Sequence, residues 1–278
     1  MTETTHGGFV GAQGEMIRWQ SWLPDATPSA VVVIVHGFAE HAGRYRWVGE
    51  QLAAAGYATY AADNRGHGQS DGPRGNIGRI DAAADDLGSM LAEASTRHAG
   101  APRFVLGHSL GGLVTLHYIT RRPVELAGVV LSAPLADASG APKVLQILAP
   151  LVARVAPNLG TLPVPSDTVS RDPAIVHDYE TDPLNFHGGK LPAQSGAEVM
   201  KTIGQVYQRI GELRLPLLVL HGTADKLVPS IASKSIAEQA GSPDLTLKLY
   251  DGLYHEILNE PERDEVIGDI LAWLDKHR

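Results

Sequence analysis

The chain has 278 residues, 44% of them apolar, which suits one large globular domain or a core with an insertion. Its formal net charge is −8 with both signs interspersed, which argues against nucleic acid as a partner because that requires a clustered basic surface. The absence of cysteine excludes disulfides, thiolate metal sites and a cysteine nucleophile. The polar, acidic start is unlike a signal peptide, and no apolar run is long enough to span a bilayer. We expect a cytoplasmic protein, with peripheral contact at membrane surfaces left open.

Short β-branched runs alternate with helical patterns along most of the chain. Strands are predicted at residues 30–35, 57–62, 104–106, 127–131, 215–220 and 245–250, and helices at 45–55, 81–97 and 262–276. Continuous apolar strands that alternate with helices indicate an α/β fold with a mostly parallel central sheet flanked by helices. Active sites in such sheets gather outside the carboxyl ends of the strands.

The stretch 135–213 breaks this rhythm, since it is rich in proline and shows no strand pattern. We interpret it as a mainly helical cap inserted between two parts of the core, 1–134 and 214–278. Within it, apolar residues recur at helical spacing from Val144 to Val155, including Leu148 and Leu151. This stripe has two interpretations: it packs onto the core, or it is a lid whose apolar side meets lipid or an acyl chain.

The pentapeptide Gly107-His108-Ser109-Leu110-Gly111 follows an apolar strand and precedes a helical pattern. Strand, G-x-S-x-G and helix is the order of a nucleophile elbow, a sharp turn that exposes the serine hydroxyl above the sheet. The turn is too tight for side chains two residues before and after the serine, which explains both glycines. The pattern alone is weak evidence, because glycine–serine loops are common. It predicts Ser109 as a nucleophile when a base and an acid accompany it.

A serine hydroxyl becomes a good nucleophile when a base removes its proton and an acid orients that base. After an elbow, the acid and then the histidine are expected later in the chain, each in a loop that follows a strand. Asp225 and His255 occupy these two places. Asp137, which follows the strand ending near Ser132, is the alternative acid.

The oxyanion that forms during acyl transfer needs two N–H donors. We expect the backbone N–H of Leu110, directly after the nucleophile, and that of Phe38, in the loop after strand 30–35. The alternative is that His36-Gly37 is only a turn that ends the strand. The block 63–70 is predicted to shape a neighbouring loop. Histidines 36, 41 and 67 match no zinc pattern, and the mechanism requires neither a metal nor a cofactor.

With these residues assembled, the sequence resembles the monoacylglycerol lipases, lysophospholipase-like serine hydrolases of the α/β-hydrolase fold. The blocks that carry the resemblance are 36–45, 63–70, 107–112, 170–173, 179–184, 221–225 and 254–256. It implies hydrolysis of a monoacylglycerol to a fatty acid and glycerol, with the acyl chain in an apolar tunnel under the cap. It also implies that Glu40, Arg44, His108 and Tyr179 organise the polar end of the substrate.

Two departures from the family pattern concern the pocket. Phe38 stands where many members have a small or aliphatic residue, which implies a narrower acyl or alcohol pocket. Residues 136–165 match poorly, which leaves the preferred chain length open.

The sequence thus predicts a carboxylic ester hydrolase whose partner is a small lipid ester, with transient membrane or micelle contact through the cap and no protein partner implied. One alternative is a lysophospholipase or short-chain carboxylesterase with the same machinery. An alternative of another class is a non-catalytic protein of this fold that binds a lipid or a partner.

Overall fold

The computed structural model describes residues 3–137, 150–186 and 188–278. Its strands are β1 (Glu3–Val10), β2 (Met16–Leu23), β3 (Ala30–Val35), β4 (Tyr57–Ala62), β5 (Arg103–His108), β6 (Gly128–Ser132), β7 (Gly160–Pro163), β8 (Lys190–Pro192), β9 (Leu217–Gly222) and β10 (Leu245–Tyr250). The helices are α1 (Arg46–Ala54), α2 (Ile80–Arg97), α3 (Leu110–Arg121), α4 (Pro173–Thr181), α5 (Ala193–Tyr207), α6 (Ile231–Gln239) and α7 (Arg263–His277). Residues 150–155 are also helical, and 3₁₀ turns lie at Ala42–Tyr45, Ser166–Thr168, Ile210–Glu212 and Ile257–Asn259.

Eight of the strands form one sheet in the order β1-β2-β4-β3-β5-β6-β9-β10. The strands from β4 to β10 in this order run parallel, whereas β1 and β2 are antiparallel additions at one edge. Gly107 of β5 pairs with Val35 of β3 on one side and with Leu131 of β6 on the other. The carboxyl ends of β3, β5 and β6 therefore meet at one edge of the sheet, where an α/β fold places its site. This confirms the predicted fold class.

The continuous apolar character of β3 follows from burial on both faces. Val31, Val33 and Val35 pack into one core cluster, while Val32 and Ile34 pack into a second cluster across the sheet. Alternate side chains of a strand point to opposite faces of the sheet. A strand that is buried on both faces therefore has no positions for polar side chains. Each fully buried valine or isoleucine side chain contributes about 1.5–3 kcal/mol to stability.

The predicted strands at 30–35, 57–62 and 245–250 match the structure, and the other predicted elements are displaced by only a few residues. The prediction that 135–213 lacks strands was wrong: β7 and β8 pair as a short antiparallel ribbon. These strands have four and three residues, and each ends in proline, which hides the alternation that predicts a strand. Of the apolar stripe, Val144 and Leu148 lie outside the described residues.

The chain leaves the sheet after β6 and returns to it at β9, although these two strands are hydrogen-bonded neighbours. The intervening segment carries β7, β8, α4 and α5, and α5 packs against α3. Over the parts of the chain that the structure describes, no helix is long and apolar enough to cross a membrane.

Candidate active site

Ser109 occupies the sharp turn between β5 and α3 with φ 52° and ψ −117°, a conformation that non-glycine residues rarely adopt. Its backbone is held in place because its N–H donates to Ser132 O at 3.0 Å and its carbonyl accepts from Leu135 N at 2.9 Å. A Cβ on Gly111 would lie 2.0 Å from the Val35 carbonyl oxygen, and one on Gly107 would lie 2.8 Å from the Gly111 carbonyl oxygen. A side chain at either position would clash with the backbone, so both must be glycine. The turn therefore has the geometry of a nucleophile elbow.

The structure joins the three predicted catalytic side chains in one hydrogen-bonded chain. Ser109 Oγ lies 2.9 Å from His255 Nε2, and His255 Nδ1 lies 2.6 Å from Asp225 Oδ2. These residues come from the ends of β5, β9 and β10, up to 146 positions apart in sequence. Because the acid on the imidazole is Asp225, the geometry favours it over the alternative, Asp137.

Backbone donors fix the Asp225 carboxylate. Its Oδ1 accepts hydrogen bonds from Leu227 N at 2.8 Å and Val228 N at 2.9 Å. Burial opposes ionisation of Asp225, but the charge of His255 and the hydrogen bonds from His221, His255 and Val228 N outweigh it and lower the pKa of the carboxyl. Burial likewise opposes a charge on His255, and the Asp225 carboxylate outweighs it and raises the pKa of the imidazole. Such a pair can stabilise an imidazolium, the form that a histidine base takes after it removes a proton from a serine hydroxyl.

The loop after β3 lies directly against the nucleophile. A Cβ on Gly37 would lie 3.1 Å from Ser109 Cβ, so the backbone of this loop reaches the space above the serine. Gly37 is held from both sides: its N–H donates to Glu40 Oε1 at 2.5 Å, and its carbonyl accepts from His36 Nδ1 at 2.8 Å. Among the described residues, the N–H groups of Phe38 and Leu110 have no hydrogen-bond partner. Both can therefore donate to an oxyanion.

Glu40 and Arg44 belong to a buried ionic cluster beside the triad. The Arg44 guanidinium pairs with both Glu256 carboxylate oxygens, at 2.6 and 2.7 Å, and with Glu40 Oε2 at 3.2 Å. Tyr45 OH donates to Glu40 Oε1 at 2.8 Å. Burial disfavours the Glu256 carboxylate, but Arg44 outweighs this and lowers its pKa to about 2. The cluster connects the loop that carries Phe38 to the residue that follows His255.

Tyr179 lies at this ionic cluster, and His108 lies beside the triad. The Arg44 guanidinium lies over the Tyr179 ring, 4.9 Å from its centroid. The His108 ring lies 4.8 Å from that of His255, and its Nδ1 faces Ser132 O at 3.1 Å. Burial and the neighbouring His255 lower the pKa of His108 to about 4, so it is neutral near pH 7. The structure thus brings all four predicted substrate-binding residues to the site, and their contact with substrate stays a prediction.

The histidines considered for a metal have other contacts. His36 Nε2 accepts from Asn64 N at 2.8 Å, and His41 Nε2 contacts Asp182 Oδ2 at 2.8 Å. His67 packs against His36 and Phe38, with ring centroids 5.5 and 5.8 Å away. Within the described ranges, no group of three histidine, aspartate or glutamate side chains could hold a metal ion.

Sequence reasoning assigned no role to Glu256 or His221, although both lie in blocks that carry the resemblance. Glu256 is a charged residue between His255 and the apolar pair Ile257-Leu258, and a buried charge requires a partner. That partner is Arg44, 212 positions away. A pairing over such a distance depends on the fold and has no local pattern.

Comparison with known proteins finds similarity over nearly the whole chain. Residues 26–262 match the Hydrolase_4 family, described as serine aminopeptidase, S33. The chain is 40% identical over 277 residues to a monoacylglycerol lipase of Mycolicibacterium smegmatis, covering 99% of this chain and 98% of that protein. It is 33% identical over 270 residues to a human monoglyceride lipase, covering 96% and 89%.

A solved structure gives the same result. The crystal structure of Paleococcus ferrophilus monoacylglycerol lipase matches with a TM-score of 0.84 and 32% identity, covering 99% of this chain and 100% of that chain. The family match and the relatives above 30% identity agree with the catalytic fold derived from the residues. The chain therefore belongs to the Hydrolase_4 family of α/β-hydrolases, together with the monoacylglycerol lipases, and is a carboxylic ester hydrolase.

Proposed function

We propose that this protein hydrolyses monoacylglycerols to a free fatty acid and glycerol through an acyl-enzyme on Ser109. The observation that carries the proposal is the hydrogen-bonded chain from Ser109 through His255 to Asp225. Relatives that match nearly the full chain are named monoacylglycerol or monoglyceride lipase, which supports this ester class. No cofactor or metal takes part in the proposed reaction.

In the proposed mechanism, Ser109 Oγ attacks the ester carbonyl while His255 Nε2 takes its proton. Asp225 holds the imidazole and stabilises its charged form. The N–H groups of Phe38 and Leu110 bind the oxyanion of the tetrahedral intermediate. His255 then returns the proton to the leaving glycerol oxygen. A water molecule, activated by the same imidazole, hydrolyses the acyl-enzyme and frees Ser109.

We propose that residues 135–213 form a cap inserted between the core parts 1–134 and 214–278. The sheet is continuous without this segment, since β6 pairs directly with β9. Phe186 N donates to Ala39 O at 2.9 Å, and the ring centroids of Phe186 and Phe38 lie 6.2 Å apart. Apolar residues of the segment thus contact the proposed oxyanion loop, a suitable environment for the first carbons of an acyl chain.

We propose that the outer face of the cap makes transient contact with membrane or micelle surfaces. Leu151, Val155 and Leu159 are 61%, 77% and 55% exposed, respectively. Apolar side chains at these positions gain free energy on entering an apolar phase. We expect Leu151→Ser with Val155→Ser to weaken co-flotation with phosphatidylcholine vesicles. Ile231→Ser is the matched control, because Ile231 is 51% exposed on α6 in the core. Equal vesicle binding by the unmodified protein, the double variant and the Ile231→Ser control would contradict surface contact through the cap.

Fatty acid release from four lipids tests the substrate class. The lipids are monoolein, dioleoylglycerol, triolein and lysophosphatidylcholine, each with Ser109→Ala as the control. We expect monoolein turnover that disappears in the control, with little release from the others. Equal or faster release from lysophosphatidylcholine would replace the proposal with a lysophospholipase. Turnover of short soluble esters alone would indicate a general carboxylesterase.

A further inference from the structure

His221 is a buried polar side chain beside the triad that the proposed mechanism does not use. It lies near the end of β9, four residues before Asp225, and its side chain has no exposed surface. Its Nε2 lies 2.8 Å from Val228 O and 3.1 Å from Asp225 Oδ2, and its Nδ1 lies 2.7 Å from Ser233 Oγ on α6. All hydrogen-bonding atoms of the imidazole are thus engaged.

These contacts require a proton on Nε2. The two partners of Nε2, a carbonyl oxygen and a carboxylate oxygen, can only accept, so Nε2 must donate. The Ser233 hydroxyl at Nδ1 can donate or accept. The Nε2–H of His221 is therefore held between two acceptors, one of which is the Asp225 carboxylate.

The Asp225 carboxylate consequently receives donors on both oxygens. Leu227 N and Val228 N donate to Oδ1, while His255 Nδ1 and His221 Nε2 both approach Oδ2. We infer that His221 is a positioning residue: its Nε2–H fixes the orientation of the Asp225 carboxylate toward His255. The inference rests on the proposed triad, and no contact between His221 and substrate is involved.

A purely structural role would make a different demand on this position. If His221 only fills space and links β9 to α6, any side chain that fits and hydrogen-bonds Ser233 would preserve the activity. If the donor to Asp225 matters, the side chain must place an N–H at the position of Nε2. Glutamine and asparagine separate these demands, because the glutamine amide reaches about as far as Nε2 and the asparagine amide only as far as Nδ1.

The test compares His221→Gln, His221→Asn and Ser233→Ala in the full-length protein, each shown to be folded by thermal unfolding. The readout is the rate at which a fluorophosphonate probe labels Ser109, which requires an activated serine and no particular ester. We expect His221→Gln and Ser233→Ala to label within about 3-fold of the unmodified protein. We expect His221→Asn to label about 10- to 100-fold more slowly, because small errors in the placement of catalytic groups have effects of this size.

A second readout separates positioning from binding. On the fastest ester found, His221→Asn should lower kcat and leave KM nearly unchanged, and His221→Gln should restore kcat. Labelling of His221→Asn at the unmodified rate, or an equal loss in folded Gln and Asn variants, would overturn the inference. Absence of Ser109 labelling in the unmodified protein would overturn the triad and this inference together. Labelling without monoolein turnover would overturn only the proposed substrate.

Discussion

Replacing Arg44 with methionine should strongly destabilise the protein, because it leaves two buried carboxylates without their cation. The Arg44 side chain is 9% exposed, and those of Glu40 and Glu256 are 4% and 6% exposed. Methionine occupies much of the space of the arginine stem but supplies neither charge nor N–H donors. The bidentate pair with Glu256 and the contact with Glu40 are lost together.

The magnitude follows from burial. Removing one partner of a buried ion pair destabilises a protein by about 3–5 kcal/mol, because the remaining charge is desolvated and unpaired. For a chain of this length, this lowers Tm by about 5–9 °C. Arg46→Met is the matched control: Arg46 pairs with Glu50 at 2.9 Å, but their side chains are 76% and 40% exposed. Such an exposed i,i+4 pair contributes about 0.3–0.5 kcal/mol.

The pH dependence of the loss of unfolding free energy in Arg44→Met shows whether an unpaired buried charge causes it. In the unmodified protein, the lowered pKa of Glu256 stabilises the fold at pH above the unfolded value of about 4.3. This contribution is lost as pH falls toward 2. In Arg44→Met, burial acts without the cation and raises the pKa of Glu256, so protonation relieves the destabilisation. The difference in unfolding free energy should therefore be largest near pH 7 and shrink toward pH 4.

Urea unfolding of the three proteins at pH 7 and pH 4.5 measures these free energies. If Arg44→Met and Arg46→Met differ by less than about 1 kcal/mol at pH 7, the buried ion pair does not stabilise the protein as expected. A large difference that is independent of pH would also contradict the expectation, since a loss of packing alone would behave in that way.

Three further predictions concern the elbow and the triad. Gly111→Ala should fail to fold or lose more than about 3 kcal/mol of unfolding free energy, since its Cβ would lie 2.0 Å from Val35 O. The control is Gly268→Ala, at an exposed helical position with open space, which should gain about 0.5–1 kcal/mol. Equal stability of the two variants in thermal unfolding would contradict the predicted clash at Gly111. Asp225→Asn should lower kcat about 10³- to 10⁴-fold with the fold intact, and retention of a tenth of the activity would contradict the assigned acid. Protonated His255 cannot accept the Ser109 proton, and its pKa is raised, so kcat/KM should fall on the acid side with a midpoint above the ordinary histidine value of 6.5. A midpoint at or below 6.5 would contradict this.

The core and the triad follow patterns that a sequence displays locally. Strand β3 is wholly apolar because it is buried on both faces, and the elbow needs glycines at fixed spacing. Strand β1 gave no such pattern, since it lies at the sheet edge and its half-buried positions are Thr5, Gly7 and Phe9, of which only Phe9 is apolar with a large side chain.

The parts that sequence reasoning missed depend on distant or indirect contacts. Arg44 and Glu256 are far apart in the chain, and neither residue type reveals which partner it has. His221 lies only four residues from Asp225, but its role depends on which nitrogen faces the carboxylate. Such an orientation is set by the two acceptors of Nε2, the Val228 carbonyl and the Asp225 carboxylate, which a linear motif does not encode.

The central claim is that Ser109 carries the acyl group during turnover of a monoacylglycerol. Rapid acid quenching of the protein with excess monoolein, followed by mass spectrometry of its peptides, tests this directly. We expect an oleoyl adduct on the peptide that contains Ser109, formed together with released glycerol and absent in Ser109→Ala. An adduct on another residue, or steady hydrolysis that persists in Ser109→Ala, would contradict it.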